Sequence, residues 1–388
     1  MQNQLCIKAA CDMLLQYGKP DTKAKVKRSI RKYILRQQVA PDDLIFWPTG
    51  LLAAGLWKCY TSFGKCEPDV TEGKISLESK ADTPKLAKDI EAALGSYFDR
   101  WQQKGLPVFC LDDLLAGEVF LDIYLTGMEA WDKTDYKNSQ NSQLFTKEKL
   151  NAYKKAIDKL AAYALAHPTD QNGCFPYRSH WKEKHIYVDS IGLVCPFLYK
   201  YGVVFKKHEY AEMAIRQIEC FLSYGMDAQT GLPYHGYEAE TGMTYGIIGW
   251  GRAVGWLLRG MQGCMIDEYG RERLESASYA LMDKVLFYQR QDGFFSWQLQ
   301  ALEGPADTSA AGIICVALQE GIRIGQFTEE KYRQALASGH AAIENAAKDG
   351  LVYQCSGECE GFGRYPQIYG TYPWSLGPAL LLLAEKAY

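Results

Sequence analysis

The sequence predicts an all-α protein built as an (α/α)6 barrel, a six-hairpin toroid occupying residues 1–388 as a single domain. Three observations predict it. Apolar residues recur at helical intervals through nearly the whole chain; strand signals are sparse and confined to short loop stretches; and a loop pattern returns about every 60 residues. The pattern is a glycine, then apolar or proline residues, then an aromatic. It reads GLPVF from Gly105, GCFPY from Gly173, GLPYH from Gly231, GFFSW from Gly293 and GLVY from Gly350. Asn172, Asp292 and Asp349 precede three of these glycines, as tight-turn chemistry favours.

A period near 60 residues suits one helical hairpin plus a loop, and 388 residues hold about six such units. In chain order, helical patterns cover residues 4–17, 23–36, 49–60, 83–104, 112–126 and 146–167. They continue over 189–201, 208–223, 248–265, 272–291, 308–324, 328–347 and 374–388. Ala211, Ala214, Ile215, Ile218, Cys220 and Phe221 illustrate the spacing that puts one face of a helix into a core. An open solenoid of helix pairs is the competing arrangement; in the closed one the recurring aromatic loops gather around one mouth.

Composition narrows the function. The chain is 47% hydrophobic and 23% charged, an ordinary soluble profile. A net charge of −3 argues against a nucleic-acid partner, which would call for a basic surface. The most apolar run, 374–384, falls short of the ~20 residues that span a bilayer. The first residues carry no basic-then-apolar leader, so the expected location is cytoplasmic, with no membrane partner. Twelve cysteines are scattered without a CxxC pair, and the six histidines form no ligand cluster. Buried reduced thiols are expected rather than a metal site. The aromatic load is high, at 13% with 9 Trp and 26 Tyr. Much of it is core, yet Phe175, Tyr177, Tyr234, Trp250, Trp256, Phe295 and Trp297 fall on or beside the recurring loops, and aromatic rings suit the flat CH faces of sugars.

Several polar residues stand where inner helices would begin. Asp189, in YVDSIGLVCPFLYKYG, is an N-cap by default and an acid in the pit as the functional alternative. Asp112 and Asp113 open the helix of LDDLLAGEVFLDIYLTG; one can cap while the other approaches Asp189, and two neighbouring carboxylates raise the proton affinity of one. In GWGRAVGW, Arg252 and Trp256 share a helix face, offering a planar cation beside a stacking wall; the alternative is an arginine paired with a structural acid. His235 belongs to a recurring loop, where a hydrogen-bonding role competes with substrate contact. Asp307, Thr308 and Ser309 make a good cap and a candidate pit rim.

Taken together, these stretches resemble the unsaturated glucuronyl and unsaturated rhamnogalacturonyl hydrolases of glycoside hydrolase families 88 and 105. The WxRGxGW pattern is matched, apart from one glycine, by Trp250–Trp256, and the aromatic-x-Asp segment by Tyr187 and Asp189 before Pro196–Phe197–Leu198. The LDxxxxG start is matched by Leu111, Asp112 and Gly117, the GLxYH loop by Gly231 to His235, and the ETS start by Asp307–Thr308–Ser309. The ordered set covers the chain from about Phe46 onward. The resemblance implies release of a 4,5-unsaturated uronic acid from lyase-generated oligosaccharides, most specifically unsaturated galacturonyl-rhamnose, by hydration of the C4=C5 bond. It implies Asp189 as general acid/base with Asp112 as its carboxylate partner, and no metal or organic cofactor. Trp47, Asp113, Arg178, Tyr187, His235, Trp250, Arg252, Trp256 and Thr308 are then the candidate substrate contacts. Trp47 stands near the place of a family tyrosine. Ala253–Val254 replace the family's usual Gly-Asn or Gly-Met, a change expected to alter the floor of the sugar slot. The competing functions are a sugar epimerase or inverting glycosidase on the same barrel, and a non-catalytic carbohydrate-binding helical repeat.

Overall fold

The computed structural model describes residues 2–18, 43–63, 78–132, 142–178 and 184–384; the helix expected over 23–36 lies outside them. Twelve α-helices are present among the described residues. They are α1 (Gln2–Gln16), α2 (Trp47–Phe63), α3 (Glu78–Gln103), α4 (Leu114–Asp132), α5 (Lys147–Ala166) and α6 (Val188–Val204). Then follow α7 (His208–Tyr224), α8 (Gly251–Gly263), α9 (Glu268–Leu286), α10 (Thr308–Arg323), α11 (Glu330–Ala346) and α12 (Pro373–Leu383).

The even-numbered helices form a closed ring: α2 packs on α4, α4 on α6, α6 on α8, α8 on α10, α10 on α12, and α12 back on α2. Each odd-numbered helix lies outside it. α3 backs α2, α5 backs α4, α7 backs α6, α9 backs α8 and α11 backs α10, while α1 covers the seam between α12 and α2. The fold is thus the (α/α)6 barrel rather than an open solenoid. Composition explains the sorting. α6 is buried over nearly its whole length, from Val188 to Gly202, and reads as apolar on every side. α7, by contrast, buries only one stripe, including Tyr210, Ala211, Ala214, Ile215 and Phe221, and turns its charges to water.

The inner helices run in one direction. Gly251 lies against Ala310 and Gly255 against Ile313, so α8 and α10 advance together; Leu51 meets Gly377 and Gly55 meets Leu380, so α2 and α12 do too. All six N-termini therefore open on the same mouth. The five recurring loops join α3, α5, α7, α9 and α11 to the next inner helix at that end. Their glycines, Gly105, Gly173, Gly231, Gly293 and Gly350, all have φ between 69° and 83°, a turn that an L side chain resists.

The loops carry short strands. β1 (His185–Tyr187), β2 (Gly236–Glu238) and β3 (Thr244–Tyr245) make an antiparallel sheet in the order β1-β2-β3, with Tyr187 opposite Gly236 and Gly236 opposite Tyr245. β4 (Ala347–Lys348) pairs with β5 (Leu351–Val352), and β6 (Cys355–Ser356) with β7 (Tyr369–Gly370). Two helix starts differ from expectation for local reasons. α8 begins at Gly251 rather than 248 because Gly249 turns at φ 68° and Trp250 is bridged to Gln298. α4 is preceded by a 3-10 turn at Leu111–Asp113, where the Asp113 carboxylate takes the Phe109 amide at 2.7 Å. No helix among the described residues is long and apolar enough to cross a membrane.

Close approach of the inner helices depends on glycine. A Cβ built on Gly55 would sit 2.7 Å from the Gly377 carbonyl oxygen and 2.8 Å from Leu380 Cβ. On helix propensity alone, Gly55→Ala would stabilise by up to ~1 kcal/mol. Overpacking at the α2–α12 seam should reverse the sign, destabilising by about 1–3 kcal/mol. A denaturation midpoint in urea that rises for Gly55→Ala would contradict this account of the ring.

Candidate active site

A cavity of about 220 Å³ opens at the common mouth of the inner helices. It is lined by Phe46, Trp47, Asp112, Tyr177, Arg178, Tyr187, Asp189, Leu193, His235, Trp250, Arg252, Trp256, Glu358, Cys359 and Gly361. The inner helices bring the positive ends of their dipoles to this mouth, an environment that favours anions.

Asp189 is the second residue of α6 and its side chain is 17% exposed. Strand pairing brings its partner to it. The β1–β2 register sets Tyr187 opposite Gly236, the Val188 amide donates to the His235 carbonyl at 3.0 Å, and His235 Nε2 lies 2.9 Å from Asp189 Oδ2. On the other side of the imidazole, Nδ1 lies 2.7 Å from the Tyr365 hydroxyl. The histidine is buried between Tyr187, which it meets edge-to-face, and a tilted Trp250, with ring centroids 5.0 and 4.6 Å away.

Asp112 is 1% exposed. Its Oδ2 accepts the Tyr177 hydroxyl at 2.6 Å, while its Oδ1 has no hydrogen-bond partner within the protein. Burial pushes its pKa up to about 7, against the opposing pull of the Tyr177 hydrogen bond, with the nearby Asp189 charge raising it further and Arg178 lowering it. Trp250 Nε1, also buried in the cavity wall, likewise makes no hydrogen bond within the protein. A donor and an acceptor are thus left for whatever enters.

Arg252, second in α8, is buried. Its guanidinium donates to Ser309 Oγ at 3.2 Å, to Ser356 Oγ at 3.2 Å and its carbonyl at 3.3 Å, and to the Gly357 carbonyl at 2.9 Å. It also lies 4.8 Å from the Trp250 ring centroid. Both serines in turn donate to Asp307, at 2.7 and 2.6 Å, so that acid balances the arginine at one remove. No carboxylate among the described residues forms a direct ion pair with Arg252, which is also part of the cavity lining.

Aromatic rings make the walls. Trp47 packs edge-on to Trp256 at 6.0 Å and tilted on Trp374 at 5.2 Å. Tyr187 stacks on Phe362 at 4.0 Å and 12°, Phe362 on Tyr245 at 5.4 Å and 10°, and Tyr177 leans on Tyr187 at 4.6 Å. Arg178 lies over the Tyr177 ring at 4.9 Å.

Of the sequence-derived candidates, Asp189, Asp112, Trp47, Arg178, Tyr187, His235, Trp250, Arg252 and Trp256 share this one cavity. Two do not. Asp113 turns away, holding the Phe109 and Cys110 amides at 2.7 and 3.4 Å, and beside Asp43 its burial keeps it protonated well above the usual carboxylate range. Thr308 is fully buried and donates its hydroxyl to the Tyr353 carbonyl at 2.9 Å, tying α10 to the β5–β6 segment instead of facing the pit. Asp307 is the cap of α10, accepting the Ser309 amide at 3.0 Å. Phe175 and Phe295 are core residues, and Ala253 and Val254 are buried away from the cavity lining, so the expected change to the slot floor does not follow. Glu358, Cys359, Gly361, Phe362 and Tyr365, all from the loop between β6 and β7, were not anticipated.

The Asp112 ionisation makes a testable claim. Its native pKa near 7 exceeds the ordinary 3.8, so the folded state holds this proton more tightly than the unfolded chain. The associated stability is present in acid and is lost as pH rises through 7. Asp112→Asn should therefore gain stability relative to the parent between pH 5 and pH 8, by on the order of 2–4 kcal/mol. Urea titrations at the two pH values check this; an unchanged difference between variant and parent would remove Asp112 as the ionising group.

A profile of Glycosyl Hydrolase Family 88 matches residues 23–387. Among solved structures, the chain superposes on a possible member of glycoside hydrolase family 105 from Salmonella enterica serovar Paratyphi A. The TM-score is 0.67, with 16% identity over 97% of this chain and 92% of that one. A family 105 glycoside hydrolase from C. acetobutylicum gives 0.64 at 18% identity, covering 93% and 98%. An unsaturated glucuronyl hydrolase responsible for the degradation of glycosaminoglycan, from Bacillus sp. GL1, gives 0.63 at 16% identity, covering 99% and 96%. No curated protein sequence matches significantly.

Proposed function

Because the chain belongs to Glycosyl Hydrolase Family 88, we propose that this glycosidase removes the 4,5-unsaturated uronic acid from the nonreducing end of lyase-generated oligosaccharides, its 388 residues forming one catalytic domain. The observation that carries this reading is a convergence in one cavity. A histidine-held carboxylate, a second carboxylate with a free oxygen, and an arginine without a direct carboxylate partner all meet there. At about 220 Å³ the cavity is below the ~300–1,000 Å³ of drug-sized ligand sites. That size suits one sugar ring at a chain end.

The C4=C5 bond and ring oxygen form an enol ether conjugated to the C5 carboxylate. Asp189, as the acid, gives its proton to C4, and the positive charge that develops is shared between C5 and the ring oxygen. Water adds at C5 and loses a proton to the Asp189 carboxylate, which restores the acid. The product is a hemiketal at C5; its ring C–O bond opens to a ketone, and the C1 hemiacetal left behind collapses to an aldehyde and expels the leaving sugar. No bond to C1 is attacked directly, which separates this path from the usual paired-carboxylate schemes. Asp112 accepts a sugar hydroxyl on Oδ1. With its pKa near 7 it also limits the charge facing Asp189 at neutral pH. Arg252 and the helix N-termini hold the uronate carboxylate, with Arg178 at the rim, while Trp47, Trp250 and Trp256 flank the ring.

The double bond removes the C4 stereocentre that distinguishes glucuronate from galacturonate, so the two unsaturated ends are the same residue. Specificity then lies in the leaving sugar, which points out of a one-ring cavity toward solvent. Among the described lining residues Glu358 alone is exposed. A carboxylate at the exit suits a neutral leaving sugar such as rhamnose over a sulfated one, by like-charge repulsion.

The conjugated ultraviolet absorbance of an unsaturated disaccharide should fall when the protein is added, faster for unsaturated galacturonyl-rhamnose than for sulfated unsaturated glucuronyl substrates. Asp189→Asn should lose at least a thousandfold in kcat while melting as the parent does. Substantial turnover by that variant refutes the assignment of the acid. In Glu358→Gln the rate on the sulfated substrate should rise about three- to tenfold with the rhamnose substrate little changed; an equal change on both would remove Glu358 as the discriminating group.

A further inference from the structure

Tyr365 lies in the loop between β6 and β7, outside every motif that marks the site. Its hydroxyl sits 2.7 Å from His235 Nδ1, on the side of the ring opposite Asp189, and takes the Ile247 amide at 3.4 Å. The position is built. Trp250 and Trp297 pack edge-to-face on the Tyr365 ring at 5.4 and 5.7 Å, and a Cβ on Gly246 would fall 2.5 Å from the hydroxyl oxygen. Burial keeps the phenol protonated far above the usual tyrosine range, so it is a standing donor.

We infer that Tyr365 is the positioning residue that fixes His235 in its Nε2–H tautomer and thereby decides which oxygen of Asp189 carries the catalytic proton. A neutral imidazole has one N–H and one lone pair on its ring nitrogens. With the Ile247 amide already donating to its oxygen, the Tyr365 hydroxyl donates to Nδ1, which becomes the acceptor. Nε2 then bears the hydrogen and donates to Asp189 Oδ2, leaving Oδ1 as the seat of the acid proton. In the opposite tautomer Nε2 is a lone pair. It would draw the acid proton to Oδ2, aimed at the histidine and away from the alkene.

This inference rests on Asp189 being the acid, and its test separates the two. ¹⁵N spectra of the full-length protein labelled at histidine should show His235 Nε2 as the protonated nitrogen and Nδ1 as the acceptor. Tyr365→Phe should shift both resonances toward a tautomer mixture, lower kcat by about ten- to a hundredfold and leave KM within twofold. A merely structural tyrosine would change the melting temperature without moving the ¹⁵N pattern. Nδ1 protonated in the parent, or Tyr365→Phe with kcat and ¹⁵N pattern unchanged, overturns the inference. If Asp189→Asn remains active while the ¹⁵N pattern changes as stated, the acid assignment fails and the tautomer control by Tyr365 stands. Should Tyr365→Phe fail to fold, the parent spectrum alone decides between the tautomers.

Discussion

Six helices lying side by side in a closed ring, all pointing the same way, are the constraint on which the rest of the molecule depends. Alternation of inner and outer helices forces it: each outer helix returns the chain to the starting end, so every inner helix begins at one mouth. Glycines at the contacts let the backbones approach, as at Gly55 on Gly377 and Gly192 on Trp256. The result is a mouth on which the positive ends of the helix dipoles converge. Acidic residues at these starts, and an anionic ligand among them, follow from that field.

Four buried or half-buried carboxylates at this end are handled in different ways, and the difference sorts structure from chemistry. Asp307 is fully satisfied by two amides and two hydroxyls. Asp113 takes backbone amides and shares its surroundings with Asp43. Asp189 is held on one oxygen by His235, and Asp112 on one oxygen by Tyr177. The unpartnered oxygen of Asp112 is buried, which is costly and for which folding gives no return, while Asp189 is partly exposed to the cavity. Such incomplete satisfaction fits groups kept for a ligand.

The ring was legible because its signals are local and repeated. Helical spacing marked the helices, and the five recurring glycines marked the returns, each of which adopts the positive φ that the turn needs. Asp189, His235, Trp250, Arg252 and Trp256 were legible because they stand at helix starts or on those returns. Which of two adjacent helix-start residues faces the pit was not, since neighbours on a helical turn point about 100° apart. Asp112 and Asp113 are the clearest case, and Thr308 fell to the same ambiguity. The β6–β7 loop escaped altogether. Its sequence, GECEGFGRYP, has no period, and it reaches the mouth through two-residue strand pairing between Cys355–Ser356 and Tyr369–Gly370, a non-local contact that no window of sequence reveals.

The seam between α12 and α2, covered by α1, has a consequence for how the molecule is made. α2 meets α3 and α4 nearby in the chain, but the ring closes only when α12 packs on α2, so until that long-range contact forms the inner helices are an open arc with an apolar flank uncovered. Long sequence separation of that kind slows folding and leaves intermediates prone to association. Loss of α12 would reopen the ring and remove Trp374, on which Trp47 leans and whose indole N–H donates to the Ser356 carbonyl.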